Sequence, residues 1–101
     1  MEKNKISIVV PCFNEKEALP LFYNKITWVL NQMSQVSETS GLSYELIIVD
    51  DGSMDGTLDV AKELATNDSG VKYISFSRNF GKEAAMYAGL QHAVGEYVAI
   101  M

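Results

Sequence analysis

The spacing of hydrophobic positions changes period several times along the chain. Ile6-Ser7-Ile8-Val9-Val10 is a short β-branched run ended by Pro11, the pattern of a buried strand. From Leu19 the apolar positions Leu19, Phe22, Tyr23, Ile26, Val29, Leu30 and Met33 follow helical spacing. Pro20 suits only the first turn of that helix, which predicts a start near Ala18 or Leu19. Ser34 to Ser43 is polar, with Ser, Thr and Gly, and reads as a loop. Tyr44 to Val49 is a second strand with Leu46–Val49 as its buried part, and Asp50 to Gly56 a turn after it. Asp55 or Thr57 then caps a helix with Leu58, Ala61, Leu64 and Ala65 on one face. Val71 to Phe76 reads as a third strand and Ser77 to Gly81 as a loop. Lys82 to Val94 reads as an Ala- and Gly-rich helix ended by Gly95, and Tyr97 to Met101 as a fourth strand.

This β-α-β-α-β-α-β order predicts an α/β fold: a three-layer, Rossmann-like arrangement with a mainly parallel sheet and helices on both faces. In such sheets ligands sit beyond the carboxyl ends of the strands. All three polar clusters fall there: Pro11 to Glu15, Asp50 to Asp55, and Arg78 to Lys82. They are expected to converge on one crevice. The last residues, Tyr97 to Met101, are an apolar strand without a polar tail, which predicts that residues 1–101 are part of a longer domain. An unpaired apolar strand would also favour association between copies.

Composition narrows the class. The 101 residues suffice for one core, and 48% hydrophobic with 21% charged residues argues against disorder. A net charge of −5 excludes a nonspecific nucleic-acid binder, yet leaves room for a nucleotide held by a few cations and backbone N–H groups. The single cysteine, Cys12, excludes an intramolecular disulfide and a cysteine-rich zinc site. No apolar run approaches the roughly 18–20 residues of a membrane span, so these residues are expected to be soluble.

Asp50-Asp51-Gly52-Ser53 is the sharpest chemical signal. A carboxylate at a strand end can accept from ribose hydroxyls or a base N–H, and Gly-Ser lets the backbone turn beside the ligand. The same residues also suit a capping turn that binds only backbone N–H groups. Two adjacent like charges need partners, which favours a ligand. Phe13 can stack on a base and Glu15 can accept from its donors, although Phe13 as core and Asn14 as a cap are the plainer alternatives. Lys82 and the free N–H groups of the helix it begins can meet a phosphate; otherwise Arg78 and Lys82 are surface charges. Neither the G-x-G-x-x-G nor the Walker motif is present. His92 and Cys12 have no visible partner for catalysis.

Taken in order, Val10-Pro11-Cys12-Phe13-Asn14-Glu15, Val49-Asp50-Asp51-Gly52-Ser53-Met54-Asp55-Gly56-Thr57 and Arg78-Asn79-Phe80-Gly81-Lys82-Glu83-Ala84-Ala85 resemble the family 2 glycosyltransferases. Within that family the resemblance is to the polyprenyl-phosphate subgroup, which includes dolichol-phosphate mannosyltransferases and bactoprenol glucosyltransferases. It implies the nucleotide-binding half of a GT-A fold and a UDP- or GDP-hexose donor. It also implies a Mg or Mn ion, and hexose transfer to a polyprenyl phosphate at the cytoplasmic face of the membrane, in bacterial cell wall or lipopolysaccharide synthesis. By the same resemblance Phe13 stacks on the base, with Pro11 and Glu15 as the pocket wall. Asp51 binds the base edge, Asp50 supports the ribose side or the loop, and Lys82 and Arg78 lie towards the diphosphate. The family's Asp-x-Asp motif follows the fourth strand, where this sequence stops. No catalytic or metal-binding residue is therefore expected within residues 1–101, and no transfer by them alone. A non-catalytic nucleotide-binding module is the competing class. A signalling receiver domain is disfavoured, because its acidic pair follows the first strand and here the pair follows the second.

Overall fold

A computed structural model describes residues 2–35 and 41–101. The elements are β1 (Glu2–Cys12), α1 (Ala18–Ser34), β2 (Ser43–Asp50), α2 (Thr57–Asn67), β3 (Val71–Ser75), α3 (Lys82–His92) and β4 (Gly95–Ile100). The four strands form one parallel sheet in the order β3-β2-β1-β4. The predicted alternation is thus the fold, and both β1 and β2 are interior strands.

Strand alternation divides the core in two. Ile8, Val10, Cys12, Leu46, Ile48 and Val71 face α1 and α2, packing on Leu19 and Ala61 with Phe22, Ile26, Leu30 and Leu64 around them. Val9, Ile47 and Val49 face α3, where Ala85 lies against them. The small residues of α3 let it approach closely. A Cβ on Gly89 would stand 2.2 Å from Val9 Cγ1, so only glycine fits there. Val29, one of the seven positions of the helical pattern, is on the exposed side of α1 instead.

Several boundaries differ from the pattern for identifiable reasons. The hydrophobic run ends at Pro11, yet β1 continues to Cys12, with Pro11 opposite Val49 and Cys12 opposite Asp50. Cys12 accepts from Asp51 N on the β2 side, whereas Val9 accepts from Met101 N on the β4 side. Pro11, two residues after Val9, therefore turns its missing donor to the β4 side and away from β2, so it costs no bond of the β1–β2 ladder. Gly95 does not end α3. It begins β4, pressed so closely on β1 that a Cβ would lie 2.6 Å from Ser7 Oγ. The helix stops at His92 and the chain runs extended from Ala93. The loop predicted over Ser34 to Ser43 includes residues 36–40, which lie outside the described residues; α1 runs through Ser34, and β2 starts at Ser43.

Candidate functional site

The turns after β1, β2 and β3 meet at the carboxyl edge of the sheet. Pro11, Phe13, Glu15, Asp51 and Lys82 line one cavity of about 220 Å³, together with Cys12 and Met101. Five of the seven predicted binding residues are thus gathered. Asp50 and Arg78 are not in it; they line an adjoining hollow, and Phe13 stands between the two. Phe13 is about half exposed at 46%, an aromatic face open to a planar ligand rather than a core residue.

Asp51 is 4% exposed, and its carboxylate is bound from the turn after β3. Oδ1 accepts from Phe80 N at 2.8 Å, and Oδ2 accepts from Gly81 N at 3.1 Å and from Asn79 Nδ2 at 3.2 Å. Gly81 is the residue before α3, with φ of 105°. The carboxylate therefore sits at the positive end of α3 and fixes where Lys82 begins the helix. Asp50 is 2% exposed and accepts weakly from Ser53 N at 3.4 Å. The partners that two adjacent carboxylates require come from the protein itself, so their adjacency alone does not call for a ligand. Asp51 nonetheless lines the cavity while holding the loop.

Arg78 lies over the Phe80 ring, 4.8 Å from its centroid, and Phe80 meets Phe76 edge-on at 5.6 Å. Neither Arg78 nor Lys82 has a carboxylate within ion-pair distance among the described residues. Lys82 lines the crevice, whereas Arg78 lines the adjoining hollow. Burial, then the carboxylates of Glu15 and Asp50, pushes the Cys12 thiol up to about 12. At neutral pH this favours the protonated thiol, the less nucleophilic form.

The pattern of residues did not single out the contact between the first two turns. Ser53 Oγ accepts from Asn14 N, Thr57 Oγ1 from Glu15 N and Asp55 Oδ2 from Lys16 N, while Asn14 Oδ1 accepts from Met54 N. Asn14 thus caps no helix; it sits at φ of 54°, a conformation asparagine tolerates. Asp55 serves α2 as expected, accepting from Thr57 N at 3.0 Å, although the residue before the helix is Gly56. Ser, Asp and Thr clustered before a helix signal capping; nothing local signals that they also serve another turn.

Among the described residues no three His, Cys, Asp or Glu side chains come together to hold a metal ion. No helix among them is long and apolar enough to cross a membrane.

Known proteins share both sequence and fold. The chain is 43% identical over 94 residues to the "Prophage bactoprenol glucosyl transferase homolog" of Escherichia coli (strain K12), a match that covers 93% of this chain and 28% of that protein. It superposes on S. aureus TarS (residues 1–349) with a TM-score of 0.75 at 23% identity, covering 96% of this chain and 26% of the other. The TM-score is 0.67 at 25% identity with the mannosyltransferase PcManGT of Pyrobaculum calidifontis, solved with GDP-Man and Mn²⁺; 92% of this chain and 25% of the other are covered. The chain therefore spans little more than a quarter of the length of the first relative and about a quarter of each of these two solved chains. The profile of "Glycosyl transferase family 2" matches residues 7–101, so the chain belongs to the family 2 glycosyltransferases, with the GT-A fold.

Proposed function

We propose that residues 1–101 form the nucleotide-binding part of a transferase that moves a hexose from a UDP- or GDP-sugar to a polyprenyl phosphate. The observation that carries this reading is the convergence of Phe13, Glu15, Asp51 and Lys82 on one crevice. A base stacks on Phe13, with Pro11 and Glu15 as the wall and Asp51 at its edge. Asp50 and Arg78 lie on the far side of Phe13, so Arg78 reaches the ligand only from the rim. Lys82 and the first N–H groups of α3 face the diphosphate. The bactoprenol relative and the GDP-Man complex support the lipid acceptor and the nucleotide-sugar donor.

The same complex supports a divalent ion, Mg or Mn, in the complete enzyme. The described residues do not offer it a ligand set, since no three His, Cys, Asp or Glu side chains come together among them. By themselves these residues bind nucleotide without transferring sugar, the role of the parent's N-terminal part ahead of the Asp-x-Asp motif. The parent acts at the cytoplasmic face of the membrane. Tyr97, Val98 and Ile100 of β4 are exposed, an apolar edge through which copies of this chain associate.

Calorimetric titration of the chain with UDP, GDP and UDP-glucose, with and without Mn²⁺, tests the reading. Weak nucleotide binding with little response to Mn²⁺ is expected. Absence of binding to all three overturns it.

A further inference from the structure

The turn between β1 and α1 presents three successive backbone N–H groups, from Asn14, Glu15 and Lys16. Such an array ordinarily attracts an anion. Here each N–H already has a side-chain acceptor from the turn before α2: Ser53 Oγ at 2.8 Å, Thr57 Oγ1 at 2.8 Å and Asp55 Oδ2 at 3.2 Å. Thr57 is fully buried, in contrast to Glu15, which is exposed. Its hydroxyl proton is directed to Asp55 Oδ1, which leaves a hydroxyl lone pair aimed at Glu15 N. A threonine at the start of a helix needs no partner 42 residues away to cap that helix. The second bond serves the other turn.

We propose that Thr57, oriented by Asp55, is the positioning residue of the crevice: it fixes the Phe13–Glu15 wall against which the nucleotide base lies. This rests on the nucleotide reading above. Phe13 is followed directly by Asn14, whose left-handed backbone donates its N–H to Ser53 Oγ while its side-chain Oδ1 accepts from Met54 N. Phe13 is about half exposed and belongs to neither core cluster, so the turn that follows it contributes to its direction. Because the three N–H groups are engaged, phosphate is also directed away from this turn and towards the start of α3.

Thr57→Val keeps the branched shape and removes the acceptor; Thr57→Ser keeps the hydroxyl. The first readout is amide hydrogen exchange by NMR on the whole chain, with Ile47 and Ile48 of β2 as controls for folding. The second is titration with UDP and GDP. In Thr57→Val the Glu15 amide is expected to exchange at least about tenfold faster with the β2 amides unchanged. Nucleotide affinity is expected to fall about five- to tenfold, and Thr57→Ser to restore both. Ser53→Ala, which frees only Asn14 N, is expected to give a smaller change in the same direction. Unchanged Glu15 exchange, or faster exchange with unaltered affinity, overturns the positioning role. An unsubstituted chain that binds neither nucleotide overturns the nucleotide reading, and with it any role of Thr57 towards that ligand; the exchange data then still report whether the turn is clamped.

Discussion

Glu45 Oε1 lies 2.5 Å from Lys72 Nζ, joining β2 to β3 on the face that α3 covers. Its other oxygen accepts from Ser7 Oγ and from Val94 N at 2.8 Å, and Ser7 Oγ accepts from Gly95 N at 2.8 Å. One carboxylate, 1% exposed, therefore ties all four strands together where β4 begins. Burial opposes its charge, but Lys72, Ser7 and the Val94 N–H outweigh that and hold its pKa below the ordinary glutamate value. With the folded value depressed, the stabilisation is fully present above the unfolded value and is lost as pH falls through the folded one. Acid unfolding of the chain is expected to begin below about pH 4.5 on this account. Glu45→Gln should cost about 1–3 kcal/mol at neutral pH and flatten the acid limb. Urea melts at pH 7 and pH 3.5 check this; an equal pH response in the two proteins would refute it.

The packing of α3 gives a second test. Gly89→Ala would place a methyl carbon 2.2 Å from Val9 Cγ1. Val9 is fully buried between β2 and β4 and has no long side chain to swing aside. Alanine gains about 1 kcal/mol of helix propensity, which overpacking of about 1–3 kcal/mol outweighs. A net loss in denaturant midpoint is expected, and it should diminish when Val9→Ala is added. No recovery in the double variant would show that the strain lies elsewhere.

Asp51 supplies a third. Asp51→Asn keeps the size but turns an amide NH₂ towards either Phe80 N or Gly81 N, donor against donor. It also removes the charge at the start of α3. The expected loss is about 2 kcal/mol in stability, with faster exchange of the Phe80 and Gly81 amides. Slow exchange at both in the variant would mean that the loop is held by other contacts.

The layer order and the convergence of the three turns were legible because both follow from period and alternation. Strand-end position alone gathered Phe13, Glu15, Asp51 and Lys82. The Glu45 network was not legible. In the sequence Glu45 is a charge preceding Leu46-Ile47-Ile48-Val49, and only the register that pairs it with Ser7, beside Lys72 of β3, makes it internal. Pro11 misleads for a related reason: which neighbouring strand a missing N–H faces depends on the register, which the sequence does not show. Gly95 reads locally as a helix end, while its closeness to Ser7 arises from a partner 88 residues away. Asp51 anchors the loop through backbone N–H groups, as the capping alternative has it, and its place in the cavity lining adds a second position that alternative did not include.

The crevice itself yields a test that separates its two halves. In the proposed arrangement Phe13 meets the base and Lys82, at the start of α3, meets the phosphates. Phe13→Ala is expected to weaken uridine and UDP alike, by about tenfold, from the loss of one stacked ring. Lys82→Ala removes an exposed cation with no intramolecular partner among the described residues, so folding should be indifferent to it. It is expected to weaken UDP about three- to fivefold and leave uridine unchanged, and the difference should shrink with added salt. Calorimetric titration of both ligands at two salt concentrations decides it. Equal losses for uridine and UDP in Lys82→Ala would place the phosphates away from α3, and the polarity of the proposed site would then have to be reversed.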